Sequence, residues 1–427
     1  MPHAAPPPPA TPARLRIAFY SHDTVGLGHI RRNIALAAAL VGALGDVDVL
    51  LLTGNPEATS LPLPPQTDVV TLPTLAKDAD GRYRSRTLSG PVERVLEIRT
   101  ALLEAALTSF EPDLLVVDKV PRGVRDELVP ALRRLRATGR TRTVLGLREV
   151  LDEPTTAVAE WRRARCTEAV DELYDAVWVY GDRSVYDPVV EYGLPASVAA
   201  KVTYTGYLGR DRFRGTSTRG DGTSTRGDGT ATATAGGDPA TVPAAPYVLC
   251  TVGGGQDGAA LAAAFAAAPM PAGHTGVVVC GPFMAPAARE AVHRAAAADA
   301  AVTVLDFVPH ADALVAGAAA VVSMAGYNSV CEVLATDAPA LLVPRCRPRA
   351  EQRLRAERLT ALGLAEVMAE ADVSAHALGR WLATTVRASG QPAARAAATL
   401  DLDGLRRVPG LVTDLLAPTR KDSSRAA

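Results

Sequence analysis

Tyr247-Val248-Leu249-Cys250-Thr251-Val252-Gly253-Gly254-Gly255-Gln256-Asp257-Gly258 is a short apolar run that ends in a glycine-rich turn. Helical spacing begins just beyond it, at Ala259. The segment therefore reads as strand Tyr247–Thr251, loop and helix, in that order. The glycines leave backbone amides unhindered, and the helix adds the positive end of its dipole, so the loop suits an anion. It lacks the Gly-Lys-Ser/Thr ending of a P-loop, which argues against a magnesium-dependent nucleotide hydrolase. A plain glycine-rich turn is the alternative reading.

The same alternation runs outward in both directions. C-terminally the pattern gives helix Ala259–Ala267, strand Gly276–Cys280, helix Ala285–Ala298, strand Val302–Phe307 and helix Ala311–Gly317. Strand Ala320–Ser323, helix Tyr327–Ala335, strand Ala340–Val343 and helix Arg349–Leu362 follow. N-terminally, strands are expected at Leu15–Tyr20, Val47–Leu52, Val69–Leu72, Leu114–Val117, Thr143–Leu147, Ala176–Tyr180 and Val202–Thr205. Helices are expected around Ile30–Leu44 and at Pro91–Phe110, Arg122–Ala137 and Glu153–Val170. Continuously apolar strands between helical patterns indicate parallel sheets covered on both faces. The fold class is α/β, with two doubly wound, Rossmann-like domains facing across a cleft.

The organisation follows from where that pattern stops. Residues 1–13 are Pro/Ala-rich, without the basic and apolar regions of a signal peptide, and read as a disordered leader. Residues 14–210 are expected to form an N-terminal domain. Residues 211–245 are a Gly/Thr/Ser-rich flexible linker in which Gly215–Asp221 is duplicated as Gly222–Asp228. Its two Arg-Gly-Asp tripeptides fit slippage of a repetitive gene region better than an adhesion ligand. Residues 246–416 are expected to form a C-terminal domain, and 417–427 a disordered tail.

Composition narrows the function. The 427 residues carry a formal net charge of −1 with no extended block of like charge, which is unsuited to a nucleic-acid binder. Five dispersed cysteines show neither a disulfide framework nor zinc-ligand spacing. No charge-free stretch approaches the ~20 residues of a membrane span. The expected location is cytoplasmic, with peripheral contact at the inner face of the membrane left open.

Three further loops carry chemistry. After the first strand, His22 to His29 holds Gly26 and Gly28, which permit a tight turn and place His29 at the mouth of the cleft. The third glycine of a dinucleotide fingerprint is replaced by Arg31, which sets NAD binding aside. His29 is read either as a general base or as a structural histidine. Ser323 to Glu332 puts Gly326, Tyr327, Asn328 and Ser329 at a helix N-terminus; Glu332 is either a capping-box partner of Ser329 or an acceptor for two ribose hydroxyls. Pro344 to Gln352 gathers three arginines with Glu351 and Gln352 at a strand's carboxyl end.

Together these loops resemble the inverting glycosyltransferases of the GT-B fold, nearest to the family of the peptidoglycan lipid-intermediate N-acetylglucosaminyltransferase, glycosyltransferase family 28. The resemblance is strongest over Asp306–Met368 and at Gly26–His29, and it implies that residues 14–210 are the acceptor side and 246–416 the donor side. It implies that Gly253, Gly254, Gly255, Gln256, Asp257 and Gly258 form a donor-side glycine loop, and that the backbone of Val308 addresses a uracil ring. It further implies that Gly326–Ser329 hold the diphosphate and sugar, Glu332 the ribose, Glu351 and Gln352 the donor sugar, and that Arg210 lies near the diphosphate. Glu351 stands where the family has a glutamine, and Leu27 and Ile30-Arg31-Arg32 also depart from its pattern. The chain thus looks like a relative and not the cell-wall enzyme itself.

The implied reaction is a metal-independent single displacement from a UDP-linked sugar, with no cofactor, to a small-molecule, lipid-linked or glycan acceptor. His29, or His22 as second choice, is the base. The diphosphate's charge is met by the helix N-termini at Gly258 and Ser329 and by Arg210. Asp118 with Lys119, and Arg148 and Glu149 with Asp152, are candidates for the acceptor wall. A UDP-sugar 2-epimerase and a non-catalytic nucleotide-sugar-binding protein are the alternatives.

Overall fold

The apolar runs become parallel strands because each is buried on both faces; Leu114–Asp118 and Tyr247–Thr251 are buried at every position. The computed structural model describes residues 14–22, 26–78, 82–210, 243, 246–297, 301–308, 311–388 and 400–417. The leader, nearly all of the 211–245 segment with its Arg-Gly-Asp tripeptides, and the tail beyond Ala417 lie outside these residues.

In chain order the first strands are β1 (Leu15–Ser21), β2 (Val47–Thr53), β3 (Thr67–Thr71), β4 (Leu75–Lys77), β5 (Tyr83–Ser85), β6 (Leu114–Asp118), β7 (Arg142–Arg148), β8 (Ala176–Tyr180) and β9 (Val202–Tyr204). They are followed by β10 (Tyr247–Thr251), β11 (Thr275–Val279), β12 (Val302–Leu305), β13 (Ala320–Ser323), β14 (Ala340–Leu342) and β15 (Glu366–Val367). The N-terminal sheet has the order β3-β2-β1-β6-β7-β8-β9 and the C-terminal sheet β12-β11-β10-β13-β14-β15. Every pairing within these two sheets is parallel. Both are doubly wound, as expected from sequence.

Local backbone explains where the helices depart from expectation. The helix expected from Arg122 starts at Val129, because Gly123, Arg125 and Asp126 all take positive φ ahead of it. The helix expected over Glu153–Val170 is split into Pro154–Arg163 and Cys166–Leu173 at Arg165, whose φ is 49°. The antiparallel pair β4–β5 has no counterpart in the sequence reading. The cysteines are all free thiols, and all but Cys346 are buried.

The two halves share one core. Ile30 and Ile34 of the first helix belong to the same buried apolar cluster as Val330, Cys331 and Leu359 of the C-terminal half. The last helix, Gly404–Leu416, is C-terminal in sequence, yet Leu405, Val408 and Val412 join this cluster and the helix packs on Gly28–Leu44. The returning chain is pinned where it crosses: Tyr207 N–H donates to Asp401 O at 2.8 Å and Gly404 N–H to Tyr207 O at 3.1 Å.

Deepest in the interface is an ion pair. Arg355 donates to Glu149 through Nε (2.5 Å) and Nη2 (3.2 Å) and to Ala325 O through Nη1 (2.9 Å). Tyr207 donates to the same Glu149 at 3.1 Å. Glu149 and Arg355 are wholly buried, and Glu149 raises the Arg355 guanidinium against the effect of burial. Removing one partner strands a charge away from water, a loss of about 3–5 kcal/mol. Glu149→Ala is therefore expected to lower the urea unfolding free energy by that amount, with both halves losing structure in one transition; a change under about 1 kcal/mol counts against the pair as the interface lock.

Candidate active site

Each sheet reverses its winding at one point, between β1 and β6 in one and between β10 and β13 in the other. Loops leaving the carboxyl ends of such neighbours diverge to opposite faces and open a crevice. The two crevices meet in a cleft of about 330 Å³. Its N-terminal wall is Gly26–His29, Arg31, Arg32, Lys119 and Arg148; its C-terminal wall includes Gly253–Asp257, Phe307, Val308, Gly326–Ser329, Glu332, Arg345, Arg349, Glu351 and Gln352.

The glycine loop is shaped by contact with the backbone of its neighbour. Gly255 has φ +87°, and a β-carbon there would lie 2.3 Å from the Cys280 carbonyl oxygen. Gly281, at φ +84°, would meet Gly253 O at 2.4 Å. Only glycine permits this approach. Facing it, helix Tyr327–Leu334 is capped by Gly326 with no side-chain cap, so its positive end points into the cleft undiminished. The Ser329–Glu332 capping box does not form, because Ser329 is already inside the helix. Glu332 instead reaches Arg31 of the other wall at 3.1 Å, and Asn328 Nδ2 donates to Gly28 O at 2.9 Å.

Arg345 organises the end of the cleft at Glu351 and Gln352. It contacts Asp257 at 3.1 Å and Glu351 at 2.8 Å, and its N–H donates to Gln352 Oε1 at 3.3 Å. Arg349 is tied across the interface to Asp152 (2.9 Å) and Glu160 (2.8 Å). Asp152, a candidate for the acceptor wall, is thereby a brace: it also accepts from Ala350 N–H at 2.9 Å.

Because β1 and β6 are neighbours, His29 lands beside Asp118. His29 Nδ1 is 3.1 Å from Asp118 Oδ2, and Arg32 donates to the same oxygen. Burial pushes the Asp118 carboxyl up, but Arg32 and His29 outweigh it and hold the group well below the usual carboxylate range. Asp118 accepts from a protonated Nδ1, whereas Arg32 Nη2, 3.0 Å from the same nitrogen, can only donate to it. The tautomer with the proton on Nδ1, which the carboxylate contact needs, carries its lone pair on Nε2. Arg32, itself buried, is sandwiched 5.7 Å from the Tyr180 ring and 5.5 Å from the Tyr327 ring.

Residues 275–407 match the glycosyltransferase family 28 C-terminal domain. The chain is a glycosyltransferase of GT-B architecture. Among solved structures it is similar to CalG4, the calicheamicin glycosyltransferase, at 16% identity over 95% of this chain and 99% of that one, with a TM-score of 0.54. MurG of Acinetobacter baumannii gives 16% identity, 94% and 100% coverage and a TM-score of 0.55. A putative UDP-N-acetylglucosamine 2-epimerase from Listeria monocytogenes gives 11%, 94% and 96%, and 0.60. At these identities the likeness is one of fold. No curated protein sequence matches the chain.

Several residues of the glycosyltransferase singled out from sequence stand elsewhere. Arg210 sits at the chain crossing, its N–H bonded to Leu402 O and its half-exposed side chain 3.6 Å from Asp403; it does not line the cleft. Glu149 is the interface lock described above, not acceptor wall. Gly258 lies behind the glycine loop, where a β-carbon would strike Val252 at 2.3 Å. His22 packs edge-on against His29 with ring centroids 5.2 Å apart and is not among the cleft-lining residues. Conversely, Arg31 and Arg32 were read only as departures from a motif, and Arg345 only as one of three clustered arginines.

Two outcomes are expected. Gly255→Ala forces the glycine loop off its neighbour and weakens nucleotide binding, read by calorimetry, with the fold retained by circular dichroism. Asp118→Asn leaves Arg32 buried without its counter-charge, so it is less stable than the parent at neutral pH. A depressed carboxyl contributes its stability above its ordinary pKa and loses it as pH falls toward the folded value. The urea-midpoint gap between parent and variant must therefore narrow below about pH 4.

Proposed function

We propose that this glycosyltransferase moves a sugar from a UDP-linked donor to a hydroxyl or amine acceptor by a single, metal-independent displacement with inversion. The observation that carries the reading is the His29–Asp118 pair standing across the cleft from the glycine loop and the Tyr327 helix N-terminus. His29 Nε2 takes the acceptor's proton as the acceptor atom bonds to the anomeric carbon. The bond from that carbon to the diphosphate breaks, and its electron pair leaves with the phosphate. The added charge is met by the amides of Gly253–Gly255 and the helix end at Tyr327–Ser329. In this scheme Phe307, 41% exposed at the rim, and Val308 suit the base, Glu332 the ribose, and Glu351 with Gln352 the sugar.

The family 28 domain supports a nucleotide-sugar donor, and among the described residues no helix is long and apolar enough to cross a membrane. Peripheral contact with a bilayer is compatible with the fold.

The test is a thermal-shift screen of nucleoside diphosphates and their sugars. UDP or a UDP-sugar is expected to raise the melting temperature, and no response to any nucleoside diphosphate would overturn the reading. With an acceptor in hand, turnover persists in EDTA. His29→Ala lowers kcat about 100- to 10,000-fold while donor binding stays, whereas Glu332→Ala loses donor binding. Incubation with the donor alone separates transfer from 2-epimerisation, since only the latter yields an isomerised donor.

A further inference from the structure

Six cationic side chains other than His29 line the cleft: Arg31, Arg32, Lys119, Arg148, Arg345 and Arg349. Four have carboxylate partners, namely Glu332, Asp118, the Asp257–Glu351 pair and the Asp152–Glu160 pair respectively. Lys119 and Arg148 have none among the described residues. They are also neighbours: Lys119 follows β6 and Arg148 ends β7, strands paired through Asp118 and Gly146. Both therefore leave the carboxyl edge of the N-terminal sheet beside the His29–Asp118 pair.

We infer that Lys119 and Arg148 form a phosphate subsite that receives a phosphate monoester on the acceptor. The inference rests on reading the cleft as the site of transfer. A lone pair of cations matches a dianion, and a carboxylate would leave one charge unmet. The donor's diphosphate has its own amides and helix end on the opposite wall, whereas this subsite shares its wall with the base.

Two details accord with a built anion site. Arg148 Nε is buried with no hydrogen-bond partner, an arrangement that costs free energy until an acceptor arrives. Lys119 holds φ 70°, outside the usual range of a side-chain-bearing residue, and its N–H is fixed to Gly146 O at 2.8 Å. Burial, with Arg148 and Arg349 nearby, brings the Lys119 amine down to about 7 despite Glu160 and Glu351. A bound dianion reverses that shift, so binding near neutral pH takes up protons.

Calorimetry with inorganic phosphate on the UDP-saturated protein tests this. Phosphate is expected to bind alongside UDP, with a heat that depends on the buffer's ionisation enthalpy. Binding should weaken about ten-fold in Lys119→Ala and in Arg148→Ala and survive in Lys119→Arg. Circular dichroism and UDP affinity, unchanged in all three, certify the fold. Competition between phosphate and UDP, absence of phosphate binding, or equal affinity in the alanine variants overturns the inference. Should UDP itself fail to bind, the phosphate titration of the free protein and its variants still decides this subsite separately. The same variants titrated with glucose 6-phosphate in solution, and with phosphatidic acid in phosphatidylcholine vesicles, tell a soluble from a lipid-borne phosphate; a Lys119-dependent response in either supports the subsite, and silence in both overturns it.

Discussion

The wholly buried pair of Glu149 and Arg355 ties the two halves at the point where their active loops begin. Glu149 directly follows Arg148 on one wall, and Arg355 also holds the carbonyl of Ala325, the residue before the Gly326 turn on the other. One ion pair thus positions a cleft cation and a helix N-terminus together. Burying two charges is expensive, and the expense is offset only while both partners and their extra bonds from Tyr207 and to Ala325 are in place. Neither half supplies the counter-charge for its own member of the pair, so the buried pair is complete only when the two halves dock. Tyr207 and Tyr327, stacked with centroids 6.1 Å apart, fill the same seam.

The electrostatics of the cleft follow from this rigidity. Its arginines are held by carboxylates, often from the opposite half, as with Arg31 to Glu332 and Arg349 to Asp152 and Glu160. Pairing of this kind fixes dipoles and charges before substrate arrives, which is the form of electrostatics that assists charge development in a reaction. The unmatched Lys119 and Arg148 then stand out against a background of matched pairs. His29 gains its orientation from the same logic, its Nδ1 held beside both Asp118 and Arg32.

Much of this was legible in the chain. The apolar runs located nearly every strand of the two sheets to within a residue or two, and the loops at Gly26–His29, Gly253–Asp257, Gly326–Ser329 and Glu351-Gln352 all reach the cleft. What misled was position without partner. Arg210 follows a strand-like segment and matched a motif, but the return of the chain at Asp401–Gly404 claims that segment for the crossing. Glu149, a carboxylate after a strand, looked like a site residue and is a structural lock. The break at Arg165 and the late start at Val129 arise from single residues in left-handed conformation, which carry no period for a pattern to reveal.

The sequence alone determined the alternation of strand and helix, the two-sheet plan and the glycine loops that suit an anion. These depend on side-chain period and on the steric freedom of individual residues, both local properties of the chain. Only the tertiary structure decided that β1 lies beside β6, so that His29 meets Asp118 across 89 positions of sequence. It alone matched Arg31, Arg32, Arg345 and Arg349 to their carboxylates and left Lys119 and Arg148 without one among the described residues. Charge pairing acts through space between groups far apart in the chain, and strand order sets which groups meet; neither is written in the spacing of residues.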